Sequence, residues 1–235
     1  MGVIYLVRHG QAESNAYGIA ADEAVSPTGV PGGLTDIGLV QAQLTGAVLA
    51  GQIGSLTAAV SGDLPRQTQT LATILGQFDA APAPVVDPGW NEYALPALVG
   101  ETTAAEYADG RAYQQRLDAG LDEWITANGA APDAGRAVGG ETFAAFADRV
   151  AAASGRAIDL TGSGQTTIVV SSAGTITQWI AQLWGVPARQ WPVLSRTMVN
   201  AAITKLIVGR SGVTVVSVNE HLHLADRDGG VSTYR

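Results

Sequence analysis

The chain has 235 residues, 46% apolar and only 14% charged, against roughly 25% charged in an average soluble domain. A disordered or coiled-coil chain is excluded, and a large core can be buried. The formal charge is −8, and the cations are 12 arginines and one lysine, Lys205, with no basic run, so nucleic acid and anionic membrane surfaces are poor partners.

In chain order, Val3-Ile4-Tyr5-Leu6-Val7 is a continuous apolar run, too short to span a bilayer or direct export and suited to a strand buried on both faces. A cytoplasmic location is the expectation. Thr35–Ala50 carries a helical apolar set at Ile37, Val40, Leu44, Ala47 and Val48, with Thr35 placed to cap it. Ala58-Ala59-Val60 has the look of a second buried strand, and Asp63–Phe78 follows as a helix, with Asp63 as cap, Pro65 in the first turn, and Leu71, Ile74, Leu75 and Phe78 on one side. The stretch from about 93 to 140 departs from this rhythm and reads as a lid inserted into a single domain spanning 1–235. It holds a helix over Thr103–Ala127 and an Ala/Gly/Pro loop over Asn128–Gly140. A helix from Glu141 to about Leu160, the strand Thr167–Val170 and a helix through Ile176, Ile180, Leu183 and Trp184 come next, the last ending near Gly185 and Pro187. Ala201–Val208 and Val213–Val218 flank Gly209-Arg210-Ser211-Gly212, a hairpin signal. No internal repeat or interdomain linker interrupts the chain. The alternation predicts a three-layer α/β/α fold on a mostly parallel sheet with a C-terminal antiparallel hairpin.

Reactive side chains should collect beyond the carboxyl ends of the strands. His9, one of three histidines, directly follows the first strand within Arg8-His9-Gly10-Gln11-Ala12-Glu13-Ser14-Asn15. A cation, an imidazole, a glycine and an amide together suit a tetrahedral oxyanion; alternatively Arg8 pairs with an acid and His9 merely ends the strand. Ser61 to Thr70 is a second such cluster, with Arg66 in the first turn of a helix whose free amides already favour an anion. With no cysteine and no closely spaced histidine–carboxylate pair on a helix, neither disulfide nor metal is expected.

These segments resemble the histidine phosphatase superfamily, in its phosphoglycerate-mutase-like branch, over essentially the whole chain. The resemblance rests on Leu6-Val7-Arg8-His9-Gly10 with Asn15, Leu34-Thr35-Asp36-Ile37-Gly38 with Gln41-Ala42, and Ser61 to Thr70. It extends through Asn91-Glu92, Gly140-Glu141-Thr142 with Phe143 and Arg149, and Asn219 with His223-Leu224. It implies a phosphoglycerate-mutase-like α/β/α sandwich and an acid-type phosphatase that needs no cofactor. Neutral His9 would attack phosphorus while Arg8, Arg66 and Asn15 hold the nonbridging oxygens. Glu92 would protonate the leaving alkoxide and then help deprotonate water, which requires an elevated pKa.

One departure stands out: the family's second histidine is expected where Ser171-Ser172-Ala173-Gly174 is found, so Ser172 takes its position. Losing one preorganised donor costs about 10²–10³ in rate. Ser172 can still offer one hydrogen bond, and the turn at Ala173-Gly174 opens a helix whose amides can face the same anion. His223 aligns with a position taken as structural, and His221 has no assigned role. Between Asn91 and Gly140 the only cations are Arg111, Arg116 and Arg136. A bisphosphate is therefore poorly matched, which ranks a mutase last. The expected ligand is a small phosphorylated substrate or inorganic phosphate, the ester having a neutral or partly apolar alcohol. The competing reading is a catalytically degenerate module that binds a phosphorylated ligand without turnover.

Overall fold

Burial on both faces decides where the opening apolar run goes: in the computed structural model it forms β1 (Gly2–Arg8), deep within a sheet. The structure describes residues 1–17, 29–100, 102–103, 106, 109–127, 140–225 and 230–234. The other strands are β2 (Ala58–Ser61), β3 (Val85–Val86), β4 (Thr166–Ser171), β5 (Ile203–Gly209) and β6 (Gly212–Glu220). They form one sheet in the order β3-β2-β4-β1-β5-β6, parallel from β3 to β1 and antiparallel through β5 and β6. Register brings Arg8 opposite Ser171 and Ser61 opposite Val170, so three parallel strands release their carboxyl ends side by side. The two-residue β3 carries no apolar run long enough to announce it and was not anticipated from sequence.

Side chains alternate across a strand, and the two faces of the sheet consequently bury different partners. Tyr5, Val7, Ile168 and Val170 pack against α1 (Asp36–Gln52) and α2 (Pro65–Leu75) through Leu49, Leu71 and Ile74. Ile4, Leu6 and Val169 face the opposite layer. That layer holds α4 (Gly110–Thr126), α5 (Phe143–Asp159) and α6 (Ala173–Trp184), which contribute Leu117, Leu121, Phe146, Val150, Ile176 and Ile180. Within the helix expected over Thr103–Ala127, which follows α3 (Leu95–Val99), Glu106 is helical and Gly110–Thr126 forms α4, where Asp109 caps the Ala112 amide; residues 104, 105, 107 and 108 lie outside the described residues. Most of the 128–140 loop lies outside the described residues. Two shorter elements matter for the site: a 3₁₀ turn at Pro88–Trp90 and α7 (Trp191–Arg196).

Two expectations fail. Of the apolar set assigned to the buried face of α1, Ile37, Val40, Leu44 and Ala47 are exposed and only Val48 packs against the core, whereas Gln41, Ala42, Thr45, Gly46 and Leu49 are buried. Hydrogen bonding and close approach, together with the contacts of Ala42 and Leu49, orient this helix. Gln41 accepts from the Gln11 amide and donates to the Val231 carbonyl, Thr45 donates to the Ala201 carbonyl, and Gly38 lies against the backbone of Gln11. Asp63 likewise does not cap α2. Leu64 is the cap residue, and the Asp63 carboxylate instead accepts from Asn91 at 2.6 Å.

A Cβ at Gly38 would sit 2.1 Å from the Gln11 carbonyl oxygen, and one at Gly10 would sit 2.5 Å from the Gly38 carbonyl oxygen, both backbone atoms that cannot step aside. Gly38→Ala is expected to destabilise the fold by about 2–3 kcal/mol, read as a lower midpoint in denaturant unfolding, because overpacking against backbone forces a shift of the His9 loop.

Candidate active site

The backbone of His9 is held on both sides: its amide donates to Ser171 at 2.8 Å, and its carbonyl accepts from Ala201 at 3.2 Å and from the Asn200 side chain at 3.1 Å. The ring is 2% exposed. Its Nδ1 lies 2.7 Å from the Gly10 carbonyl oxygen. A carbonyl only accepts, so Nδ1 carries the proton and Nε2 presents its lone pair. Arg66 Nε donates to that Nε2 at 3.2 Å. Burial, then the charges of Arg66 and Arg8, hold the imidazole well below its ordinary pKa and keep it neutral near pH 7.

Arg66 arrives on the first turn of α2, where Pro65 removes an amide that would have no partner anyway. The helix is tied to the His9 loop by Thr70, whose hydroxyl donates to the Arg66 carbonyl at 2.7 Å and accepts from the Gly10 amide at 3.0 Å. Arg66 also donates to the Ala16 carbonyl and lies over the Tyr17 ring. Arg8, 4% exposed at the end of β1, donates to the Met198 carbonyl and, at 2.8 Å, to the Tyr234 carbonyl.

Glu92 follows the Pro88–Trp90 turn on a segment that three side chains fasten. Arg149, paired in bidentate fashion with Glu141 at 2.6 and 2.7 Å, donates to the Gly89 and Asn91 carbonyls. Asn91 and Asp63 exchange hydrogen bonds, and the Thr175 hydroxyl donates to the Asn91 carbonyl at 2.8 Å. The Glu92 carboxylate accepts from the Gly174 amide at 2.8 Å, at the N-terminal end of α6. Burial nevertheless pushes its pKa up against the opposing pull of that amide and of Arg66 and Arg8.

A cavity of about 300 Å³ joins these groups. Arg8, His9, Arg66, Glu92 and Gly174 lie on its wall, together with Ala16, Tyr17 and Tyr234. Two residues singled out from sequence stand elsewhere. Asn15 is exposed, and its side chain accepts from the Gly32 amide at 3.1 Å. Ser172 is 1% exposed and accepts from Gln67 at 2.9 Å, while its successors Ala173 and Gly174 reach the cavity. His223 meets Thr45 at 2.8 Å behind α1, and His221 contacts the Asn219 carbonyl. Gln67 and Thr70 fall within the Ser61 to Thr70 cluster with no role assigned from sequence, and Thr175 and Tyr234 were not foreseen. The i, i+4 pairing of Arg66 with Thr70 gives a faint local signal for one of them, but nothing near Tyr234 announces that it reaches the first strand.

Chemically, the cavity combines a neutral imidazole whose Nε2 lone pair accepts from Arg66, two buried guanidinium groups and a carboxyl biased toward its protonated form and tied to the end of α6 through the Gly174 amide. Its sequence matches the model of the histidine phosphatase superfamily (branch 1) over residues 4–221. The chain belongs to that superfamily. Solved structures with the same fold include a phosphoserine phosphatase mutant from Entamoeba histolytica in complex with phosphoserine, 20% identical, covering 95% of this chain and 100% of that one with a TM-score of 0.66. A putative alpha-ribazole-5′-P phosphatase from Escherichia coli is 22% identical over 93% of this chain and 96% of its own, TM-score 0.65. A mycobacterial glucosyl-3-phosphoglycerate phosphatase solved with VO3 is 21% identical over 94% and 100%, TM-score 0.64. No curated protein sequence matches the chain. Among the described residues of this superfamily member, no helix is long and apolar enough to cross a membrane.

Gly174 couples the helix end to the acid. A Cβ there would approach the Glu92 carboxylate to 2.5 Å and the Tyr93 ring to 2.6 Å. Gly174→Ala is expected to lower kcat by about 10–100-fold through displacement of the carboxyl group, with KM changing less, as steady-state kinetics would show.

Proposed function

We propose that this protein is a phosphomonoesterase that hydrolyses a small phosphorylated metabolite through a phosphohistidine intermediate on His9. The observation that carries this reading is the His9 ring itself, neutral, protonated on Nδ1, with Nε2 facing Arg66 at 3.2 Å. A phosphoryl group entering the cavity takes its oxygens to Arg66 and Arg8 and its phosphorus to Nε2. The N–P bond forms as the P–O bond to the alcohol breaks. Glu92, whose pKa burial raises, acts in its protonated form and transfers that proton to the departing alkoxide. As a carboxylate it then takes a proton from water, which attacks phosphorus, releases inorganic phosphate and restores the neutral imidazole. Asn15 belongs to the oxygen-holding set only if it leaves the Gly32 amide, so the resting cradle consists of the two arginines.

The similar solved structures whose names carry phosphoserine, alpha-ribazole phosphate and glucosyl-3-phosphoglycerate support a metabolite-sized substrate. A second reading, a phosphate-ligand-binding module without useful turnover, is favoured by one feature: the Ser172 hydroxyl is engaged by Gln67 and does not line the cavity. Hydrolysis of an aryl phosphate by the wild-type protein separates the two. Steady release of phosphate supports the enzyme, and tight phosphate binding without release supports the module. Ser172→His is expected to raise kcat about 10²-fold by returning an imidazole N–H donor to the transferring group. An unchanged kcat in a folded Ser172→His variant would remove position 172 from the account.

A further inference from the structure

The cavity beyond the phosphate end is walled by Tyr93 and Leu95 from the segment after Glu92 and by Tyr113, Leu117 and Leu121 from one face of α4. All five rest on the buried aromatic and aliphatic cluster that includes Trp124, Phe146 and Trp191, so this wall is continuous with the core. Apart from Arg8 and Arg66, the one cation on the described part of the lining is Arg196, at the rim. Its charge is already matched: Arg196 pairs with Asp118 at 2.8 Å, and Asp118 also accepts from Gln114 at 2.7 Å. An ester whose alcohol carried a carboxylate would thus bring that charge against a wall that is mostly hydrocarbon and aromatic rings, where no described cation is left to receive it, and desolvation would be poorly compensated.

Resting on the phosphatase reading above, we infer that the cavity selects monophosphate esters of uncharged, apolar alcohols over esters of alcohols that carry a carboxylate. The volume of about 300 Å³, at the small end of the ~300–1,000 Å³ found for ligand pockets, suits one ring or a short alkyl chain beside the phosphoryl group. Tyr93, Leu95 and the α4 face act as the specificity surface, and the Asp118–Arg196 pair withholds the cation that an acidic substrate would need.

The test compares benzyl phosphate, whose leaving group resembles a simple alcohol in reactivity, with phosphoserine and 3-phosphoglycerate. The wild-type kcat/KM is expected to favour benzyl phosphate by about 30–100-fold. Leu95→Gln, at a half-buried position, should cut that ratio about tenfold. Asp118→Asn, which releases Arg196, should raise kcat/KM for 3-phosphoglycerate about tenfold. Calorimetric binding of the same three compounds to the His9→Ala protein should give the same ranking without turnover. If the protein hydrolyses all three esters at equal kcat/KM, or prefers the acidic ones, the selectivity claim fails while the phosphatase reading stands. If nothing is hydrolysed but the binding order holds, the catalytic reading fails and the selectivity stands.

Discussion

His9→Ala is expected to reduce kcat on an aryl phosphate by at least about 10⁴-fold while phosphate still binds, because the variant loses the nitrogen that forms the covalent bond and keeps both guanidinium groups. Its backbone does not depend on the ring: the amide and carbonyl of residue 9 remain bonded to Ser171, Ala201 and Asn200. The same substitution carries a stability signature. The imidazole titrates at a lowered pKa in the folded protein and near 6.5 when unfolded, so between those values the unfolded chain binds more protons. Wild-type stability should therefore fall as pH drops below 6.5 toward the lowered folded value, and His9→Ala should remove that part of the slope. Thermal unfolding of both proteins across that range measures it. A variant with wild-type kcat would remove His9 from the chemistry.

Glu92→Gln is expected to lower kcat by about 10²–10⁴-fold for an alkyl phosphate, since an amide cannot donate the proton the alkoxide needs. With 4-nitrophenyl phosphate, whose leaving group is stable as an anion, the loss should be much smaller in the phosphorylation step. In wild-type protein that step should slow as pH rises through the elevated Glu92 pKa, and the variant should lack this limb. Stability moves the other way. Glu92 holds its proton more tightly folded than unfolded, so its contribution is fully present below its ordinary pKa of 4.5 and is lost as pH rises through the folded value. Glu92→Gln should accordingly unfold at a higher temperature than wild type at pH 8, with the difference closing near pH 4. Equal kcat losses for alkyl and nitrophenyl esters would argue that Glu92 positions the site without donating a proton.

The central strands were legible because burial on both faces leaves a nearly unbroken apolar run, as at Val3–Val7 and Thr167–Val170, and a strand end followed by Arg8-His9-Gly10 or by Asp63 to Arg66 marks a carboxyl edge. The face of α1 was misread for a physical reason. Beside Ala42 and Leu49, its inward residues are Gln41, Thr45, Gly38 and Gly46, suited to hydrogen bonds with Gln11, Val231 and Ala201 and to close backbone approach, and hydrophobic periodicity cannot register such contacts. Position 15 shows a related limit. The motif spacing brings Asn15 near the strand end, but the side chain turns to the Gly32 amide, a partner set by how residues 14–17 wind into a 3₁₀ turn. Arg149 was legible as part of a pattern though not in its action, which is to fasten the backbone of residues 89 and 91 and so aim Glu92. Tyr234 lies beyond any local signal: its carbonyl meets Arg8 from 226 residues away in sequence.

The central claim is that His9 Nε2 bonds directly to phosphorus between Arg8 and Arg66. A crystal structure of the protein with vanadate tests it in one observation. Five-coordinate vanadium bonded to Nε2, with equatorial oxygens on Arg8 and Arg66 and an apical oxygen near Glu92, is the predicted result; vanadate lodged elsewhere, or held by the arginines with the His9 ring unbonded, would contradict it.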